Sequence, residues 1–166
     1  DSQVRMPAAA RRAKGPARDL HVTRSPGRSA QKGARGLWVA PRTVQQVKGR
    51  AVASVWWWLS PVLWPASEGD TAELVRRLLK NGARRFVLNA PWQAGLFPRR
   101  DKLDFWAGPF CNLANPLALE VLRDAGFNGA LVSPELGQGP PWIRRAPARC
   151  RLAWCCSACG RCACPG

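Results

Sequence analysis

A repeated order of helix, glycine and short strand constrains the fold of this chain more than any other feature of its sequence. Gly82 and Gly126 lie 44 residues apart, and each follows a predicted helix and precedes a short apolar segment that ends near Pro91 or Pro134. Alternating helices and strands are typical of right-handed βαβ units on a parallel sheet. The periodicity therefore predicts an α/β fold, and it fits an open sheet and a barrel equally well.

Two units of this kind are predicted. In the first, a helix over 70–81 begins with the capping-box pair Asp70 and Glu73 and ends at Asn81-Gly82, and a strand over 85–90 leads into a turn at Pro91-Trp92-Gln93. In the second, a strand over 103–108 precedes a helix over 115–125 with Asn115 as its cap, and a strand over 129–133 follows. Earlier strands are predicted over 37–40 and 51–59. Within the latter, Trp56-Trp57-Trp58 must present at least one ring to the opposite face of the sheet.

Positive charge is concentrated at the two ends of the sequence. Residues 1–36 hold nine basic and two acidic residues, 137–166 hold five basic and no acidic residues, and the segment between them holds twelve and eight. Both ends are poor in large apolar residues, so burial there cannot offset the loss of chain entropy. We expect a disordered basic tail over 1–36 and a low-complexity Pro/Arg/Cys-rich end over 137–166. GC-rich DNA read out of frame encodes the same residue types, which is a second interpretation of both ends.

Basic ends of this type bind anions such as RNA phosphates weakly and without sequence preference, and solvated disorder is the alternative. The longest apolar stretch, 51–66, is interrupted by Pro61 and Pro65 and is shorter than the roughly 20 residues of a membrane span. We therefore expect a cytoplasmic protein without a membrane span.

Three segments resemble the collagenase-like peptidase family of bacteria. They are 56–64 (WWWLSPVLW), 82–93 (GARRFVLNAPWQ) and 107–136 (AGPFCNLANPLALEVLRDAGFNGALVSPEL). The late barrel strands of that family carry a Gly-Pro, an Asn, a second Asn before a helix and a closing Ser-Pro-Glu-Leu. These match Gly108-Pro109, Asn112, Asn115 and 133–136 here. The resemblance covers 37–136 and implies a partial TIM-like barrel of parallel βα units, because a complete barrel needs at least about 200 residues.

The resemblance implies a hydrolase of the peptidase type that acts on peptides, and a chain of this extent is expected to be an inactive fragment. Some members of the family resemble iron–sulfur proteins that take part in hydroxylating RNA bases or a quinone precursor. An iron–sulfur cofactor and an RNA or quinone-modifying role are therefore an alternative. This sequence departs from the family after Leu136, where the four cluster cysteines of those members lie. A third interpretation, from a different class, is a basic nucleic-acid-binding protein without enzyme activity.

Polar residues follow the predicted strands at the edge where barrel active sites lie. Glu135 is the one carboxylate among them and is the candidate catalytic acid or base. The candidate substrate-binding amides are Asn89, Gln93, Asn112 and Asn115, with Trp92 and Ser133 beside them. We expect Asn89, Asn112 and Glu135 to lie within about 15 Å of one another. The alternatives are a turn for Asn89, a helix cap for Asn115 and a solvated loop acid for Glu135.

Cysteine and histidine give weaker signals. Cys156-x-x-Cys159-x-x-Cys162 has the spacing of a metal loop, but no folded flank is predicted around it, so no metal ligand is assigned. Cys111 is expected to be a buried thiol. Because His21 lies in the predicted tail and the chain has no other histidine, no Cys–His dyad is expected in the domain.

Overall fold

A parallel sheet organises the part of the chain that the computed structural model describes, which comprises residues 20–23, 34–132, 151–156 and 161–163. Within these ranges seven strands pair in parallel in chain order: β1 Leu20–Thr23, β2 Ala34–Trp38, β3 Trp56–Trp58, β4 Arg85–Leu88, β5 Asp104–Ala107, β6 Gly129–Val132 and β7 Arg151–Cys156. β8, Arg161–Ala163, runs antiparallel to both β7 and β1, so the strand order closes on itself. The predicted mixed α/β fold is confirmed, while the reversed β8 differs from the eight parallel strands of a (β/α)8 barrel.

Helices occupy the connections between the central strands. They are α1 Pro41–Gln46, α2 Ala51–Ser54, α3 Pro65–Lys80 and α4 Pro116–Asp124, with 3₁₀ helices at Pro91–Leu96 and Pro109–Cys111. All of these except α2 begin with proline, whose fixed φ suits a first helical position and whose missing N–H costs nothing there. The predicted turn at Pro91-Trp92-Gln93 is therefore the first half of a 3₁₀ helix.

The second predicted unit agrees closely with the structure. Asn115 caps α4, since its Oδ1 accepts a hydrogen bond from the backbone N–H of Ala118 at 2.9 Å. Gly126 follows the helix in the left-handed region with a φ of 91°, a conformation that glycine adopts without strain. β5 and β6 lie within the predicted strands 103–108 and 129–133, and β4 lies within 85–90.

The start of the first predicted helix was wrong. α3 begins at Pro65 rather than residue 70, so Asp70 lies exposed within the helix and Trp64 occupies the N-cap position. The capping-box pattern at Asp70 and Glu73 also fits a helix interior, and the proline supplied the stronger start.

The predicted strand over 51–59 was also wrong in its first half. Residues Ala51–Ser54 form α2 after a turn at Gly49, where φ is 61°. The indole Nε1 of buried Trp57 donates to the Val52 carbonyl at 3.0 Å and ties this helical turn to β3. The β-branched residues Val52 and Val55 favour a strand locally, whereas this bond between residues five positions apart favours the helical turn.

Strands also lie in both segments that were expected to be irregular. β1 and the first residues of β2 fall within 1–36, and β7 and β8 fall within 137–166. His21, which was placed in a disordered tail, lies in β1 opposite Arg35 of β2. Composition measures what a segment can bury alone, whereas a short strand can be ordered by pairing its backbone with a sheet that already exists.

The two faces of the sheet carry different side chains. Trp57, Phe86, Leu88 and Phe105 pack with helix residues such as Val75, Leu78, Leu119 and Leu122 in one buried cluster. Trp56 and Trp58, whose positions alternate with Trp57, lie outside that cluster and are buried on the opposite face. The expected split of the tryptophan run between two faces is therefore confirmed.

Candidate functional site at the carboxyl edge of the sheet

Asn89 is the central residue of the candidate site. It follows β4 directly and is only 2% exposed. Its Nδ2 donates to the Leu59 carbonyl at 2.7 Å, beyond the end of β3, and this bond turns Oδ1 towards the next strand. Among the residues described, Oδ1 has no hydrogen-bond partner. Because an unpaired buried acceptor is costly, such atoms occur mainly where a ligand or water completes them.

Gly108 makes room for the Asn89 carbonyl oxygen. A Cβ atom at position 108 would lie 2.0 Å from Asn89 Oδ1 and 2.8 Å from its Cγ. The Gly108 backbone N–H donates to the Leu88 carbonyl at 2.7 Å, which fixes the end of β5 beside the end of β4. A residue with a side chain at position 108 therefore displaces the Asn89 amide.

Gln93 holds the neighbouring backbone in place. It is fully buried, its Oε1 accepts from the N–H groups of Asn89 and Ala90 at 2.9 and 3.3 Å, and its Nε2 donates to the Ser60 carbonyl at 2.8 Å. Because backbone groups occupy both ends of this amide, the geometry gives Gln93 a positioning role. Substrate contact by Gln93 stays a prediction.

Asn112 and Asn115 lie after β5 and are both exposed. Asn112 ends the 3₁₀ helix Pro109–Cys111 in the left-handed region, with φ 47° and ψ 54°, a conformation that Asn tolerates better than most residues. The Asn115 Oδ1 is occupied by the cap of α4. The cap alternative for Asn115 is therefore confirmed, and a ligand at Asn112 stays a prediction.

Glu135 and Ser133 lie outside the described residues, so the structure does not place them. The predicted approach of Glu135 to Asn89 and Asn112, and its acid–base role, stay predictions.

Cys111 is a half-buried thiol beside the same edge. Its Sγ donates to the Leu88 carbonyl at 3.4 Å. Burial raises the pKa of the Cys111 thiol to about 11, and a hydrogen bond from the Gly108 backbone opposes this effect only in part. Since the thiolate is the nucleophile, Cys111 is protonated and unreactive near neutral pH. The expected inert thiol agrees with this geometry.

For the cysteines near the end of the chain, the structure gives only the strand register of Cys155, Cys156 and Cys162. β7 and β8 place Cys155 opposite Cys162, whereas Cys156 lies opposite Arg161. For 36–131, where side chains are placed, no group of three or more metal-binding side chains was found.

Tryptophans line the face of the sheet that carries Asn89. Trp38 contacts Trp58 edge-on with ring centroids 5.7 Å apart, and Trp56 contacts Trp106 at 5.4 Å. The Arg85 guanidinium lies 5.9 Å from the centre of the Trp56 ring, a cation–π distance. The buried Trp58 Nε1 has no hydrogen-bond partner among the residues described, so this face holds an unsatisfied donor as well as the Asn89 acceptor.

Sequence reasoning identified Asn89 but missed what Gly108 and Trp58 do. The signal for Gly108 was present, because a Gly-Pro directly after a predicted strand marks a position of close approach. That the Trp58 indole has no hydrogen-bond partner among the described residues could not be read from the sequence, since it depends on which groups lie near it on that face.

Comparisons with protein-family models, with curated proteins and with solved structures found no match for this chain. Within the described part of the chain, no helix is long and apolar enough to cross a membrane.

Proposed function

We propose that this chain is part of a peptidase-type protein resembling the collagenase-like family, with a TIM-like barrel whose carboxyl edge binds a peptide. The observation that carries the proposal is the buried Asn89 amide, which is anchored through Nδ2 at Leu59 and whose Oδ1 has no partner in the part of the chain that the structure describes. A fixed acceptor shielded from water suits a peptide N–H, which loses hydration on binding and requires one acceptor in return. Parallel strands support this location, because loops at their carboxyl ends converge on ligands in α/β proteins.

Catalysis needs a group beyond those placed around Asn89. Asn89 and Gln93 do not exchange protons at neutral pH, and the raised pKa of Cys111 keeps its thiol protonated. Glu135 remains the proposed acid or base. Because one candidate acid or base is not a complete catalytic set, the chain is proposed to bind peptide without cleaving it efficiently by itself.

A ligand-side substitution tests the binding proposal without disturbing the fold. Fluorescence anisotropy is measured with fluorescein-Gly-Phe-Gly-Leu-Gly-amide, in which the dye is joined to the N-terminal amine, and with depsipeptides in which one N–H at a time is replaced by an ester oxygen. One of the ester positions is expected to weaken binding about tenfold, because a hydrogen bond to a buried group contributes on the order of 1–2 kcal/mol. Asn89→Ala should remove the difference between that depsipeptide and its parent, while Asp70→Ala on α3 should preserve it. Equal binding of every ester analogue would exclude Asn89 Oδ1 as a peptide acceptor.

A further inference from the structure

Large apolar side chains stand exposed on three successive loops around Asn89. Trp64 follows β3, Trp92 follows β4 and Phe110 follows β5, with exposed fractions of 70%, 50% and 62%. These three residues are called the aromatic rim. Tryptophan and phenylalanine side chains that stay in water forgo the large favourable free energy of burial, so their exposure after three successive strands calls for an explanation.

Hydrogen bonds hold the three loops against the Asn89 position. Gln93, one residue after Trp92, donates to the carbonyl of Ser60 in the loop that leads to Trp64. On the other side, Gly108 and Cys111, which flank Phe110, donate to the Leu88 carbonyl. The three loops of the aromatic rim are therefore linked by hydrogen bonds to one another or to Leu88, the residue before Asn89.

Local structure does not require these side chains to be aromatic. Trp64 acts as the N-cap residue of α3 through its backbone, and its carbonyl accepts from Ser67 at 2.8 Å. Trp92 and Phe110 each occupy the second position of a 3₁₀ helix that proline begins. Their rings lie outside the buried cluster that stabilises the sheet.

We propose that the aromatic rim selects peptides with large apolar side chains, held by their backbone at Asn89. This inference rests on the proposed peptide-binding function and names its substrate class. Apolar walls around one polar anchor are the usual composition of a ligand site, in which the polar group fixes orientation and the apolar surface supplies affinity. In an extended peptide, side chains on either side of the bound N–H reach the loops that flank Asn89.

Two matched peptides test the selection. Anisotropy is measured on the full chain with fluorescein-Gly-Phe-Gly-Leu-Gly-amide and with fluorescein-Gly-Asn-Gly-Gln-Gly-amide, which has the same backbone but polar side chains. The apolar peptide is expected to bind at least about tenfold more tightly, because burying two apolar side chains exceeds the 1.4 kcal/mol that a tenfold change needs. The triple variant W64S/W92S/F110S should remove this preference while keeping weak binding of both peptides.

Val121→Ser is the matched control, because Val121 is an exposed apolar residue on the outer face of α4, away from the rim. It should leave the peptide preference unchanged, and thermal unfolding should show that all variants are folded. Equal binding of the two peptides to the wild type, or a preference that survives in the triple variant, would overturn the inference and leave the peptide site at Asn89 standing. Absence of binding by either peptide would remove the proposed function and this inference together.

A labelled oligouridylate of ten nucleotides separates peptide from nucleic acid. Bases stack on exposed aromatic rings, so an RNA ligand would use the same rim. Tight binding of the oligouridylate that is lost in the triple variant would overturn the peptide assignment. Binding that the triple variant retains, or none, would support it.

Discussion

At the scale of single residues, Asn89 and Gly108 compete for one small volume at the ends of β4 and β5. The absent Cβ of Gly108 is what allows the Asn89 Oδ1 to lie against that backbone. Gly108 has a φ of −77°, which every residue adopts easily, so its requirement for glycine is steric and not conformational. A substitution at Gly108 therefore measures the steric overlap with Asn89 without adding backbone strain.

Gly108→Ala is expected to lower the free energy of unfolding by about 1–3 kcal/mol, since the added methyl overpacks a buried site. Asn89→Ala is expected to be destabilising as well, because it leaves the Leu59 carbonyl without its donor. In the double variant, the smaller side chain at position 89 removes the closest overlap. The double variant should therefore lose less free energy of unfolding than the sum of the losses in the two single variants. Urea unfolding of the four proteins measures this coupling, and strictly additive costs would contradict the contact.

Cys111 gives a second residue-scale prediction. Its pKa of about 11 implies that alkylation by iodoacetamide rises with pH well beyond 9.0, the ordinary thiol value. Mass spectrometry of the peptide that contains Cys111 is needed to follow it, because the chain has seven cysteines. The same peptide in denaturant serves as the control, and its alkylation rate should reach half its maximum near pH 9.0. A folded-state rate that reaches half its maximum at or below pH 9.0 would contradict the buried thiol.

The same shift has a defined sign for stability. The folded state holds the Cys111 proton more tightly than the unfolded state. The contribution of the protonated Cys111 thiol to the free energy of unfolding is therefore fully present below pH 9.0 and is lost as pH rises from there towards 11.

At the scale of elements, prolines and caps set where the helices start. α4 has a side-chain cap at Asn115, whereas α3 begins at Pro65 with no side-chain hydrogen bond at its N-cap residue, Trp64. Asp70, which resembles a cap in sequence, lies exposed inside α3. Asn115 and Asp70 therefore both resemble caps in sequence, but only Asn115 accepts a hydrogen bond from the first turn of its helix.

Asn115→Ala is expected to lower the free energy of unfolding by about 1 kcal/mol, because it leaves the Ala118 N–H without its acceptor. Asp70→Ala should change it by less than about 0.5 kcal/mol, since exposed positions without such contacts are tolerant. Chemical denaturation of both variants makes the comparison. A loss at Asp70 as large as that at Asn115 would mean that α3 begins near residue 70 after all.

At the scale of the whole molecule, pairing at the two outer strands closes the sheet. β7 pairs with β6 over 129–132, and β8 joins β7 to β1. Removing those partners leaves rows of unpaired backbone groups at two edges, which favours aggregation. The two basic end segments of the sequence therefore contain strands that pair with the sheet.

Deletion of 137–166 is expected to reduce the hydrogen-exchange protection of β6 and to increase light scattering, because β6 loses its β7 partner. Deletion of 1–19, which contains no residue of a described strand, is the control and should leave β6 protected. If the truncated chain stays monomeric and keeps full hydrogen-exchange protection at 129–132, the compact unit ends at 136, as composition predicts.

The sequence by itself determined the α/β class, the helix–glycine–strand repeat, the three later strands, the Asn115 cap and the two faces of the tryptophan run. These features depend on residues near one another in the chain, where periodicity, proline and glycine act directly. It also marked Asn89, because a polar residue at the end of an apolar strand falls on the sheet edge where ligands bind.

Only the tertiary structure decided the rest. The helical turn at α2 depends on Trp57 reaching Val52, and the role of Gln93 depends on the Ser60 carbonyl of a different loop. The end strands depend on partners far away in sequence, so composition underestimated them. Within the described ranges, the Asn89 Oδ1 is left without a partner because Leu59 occupies one end of its amide while Gly108 leaves space at the other. The hydrogen bonds of Gln93 to Ser60 and of Asn89 to Leu59 join residues 33 and 30 positions apart, and local propensity carries no information about them.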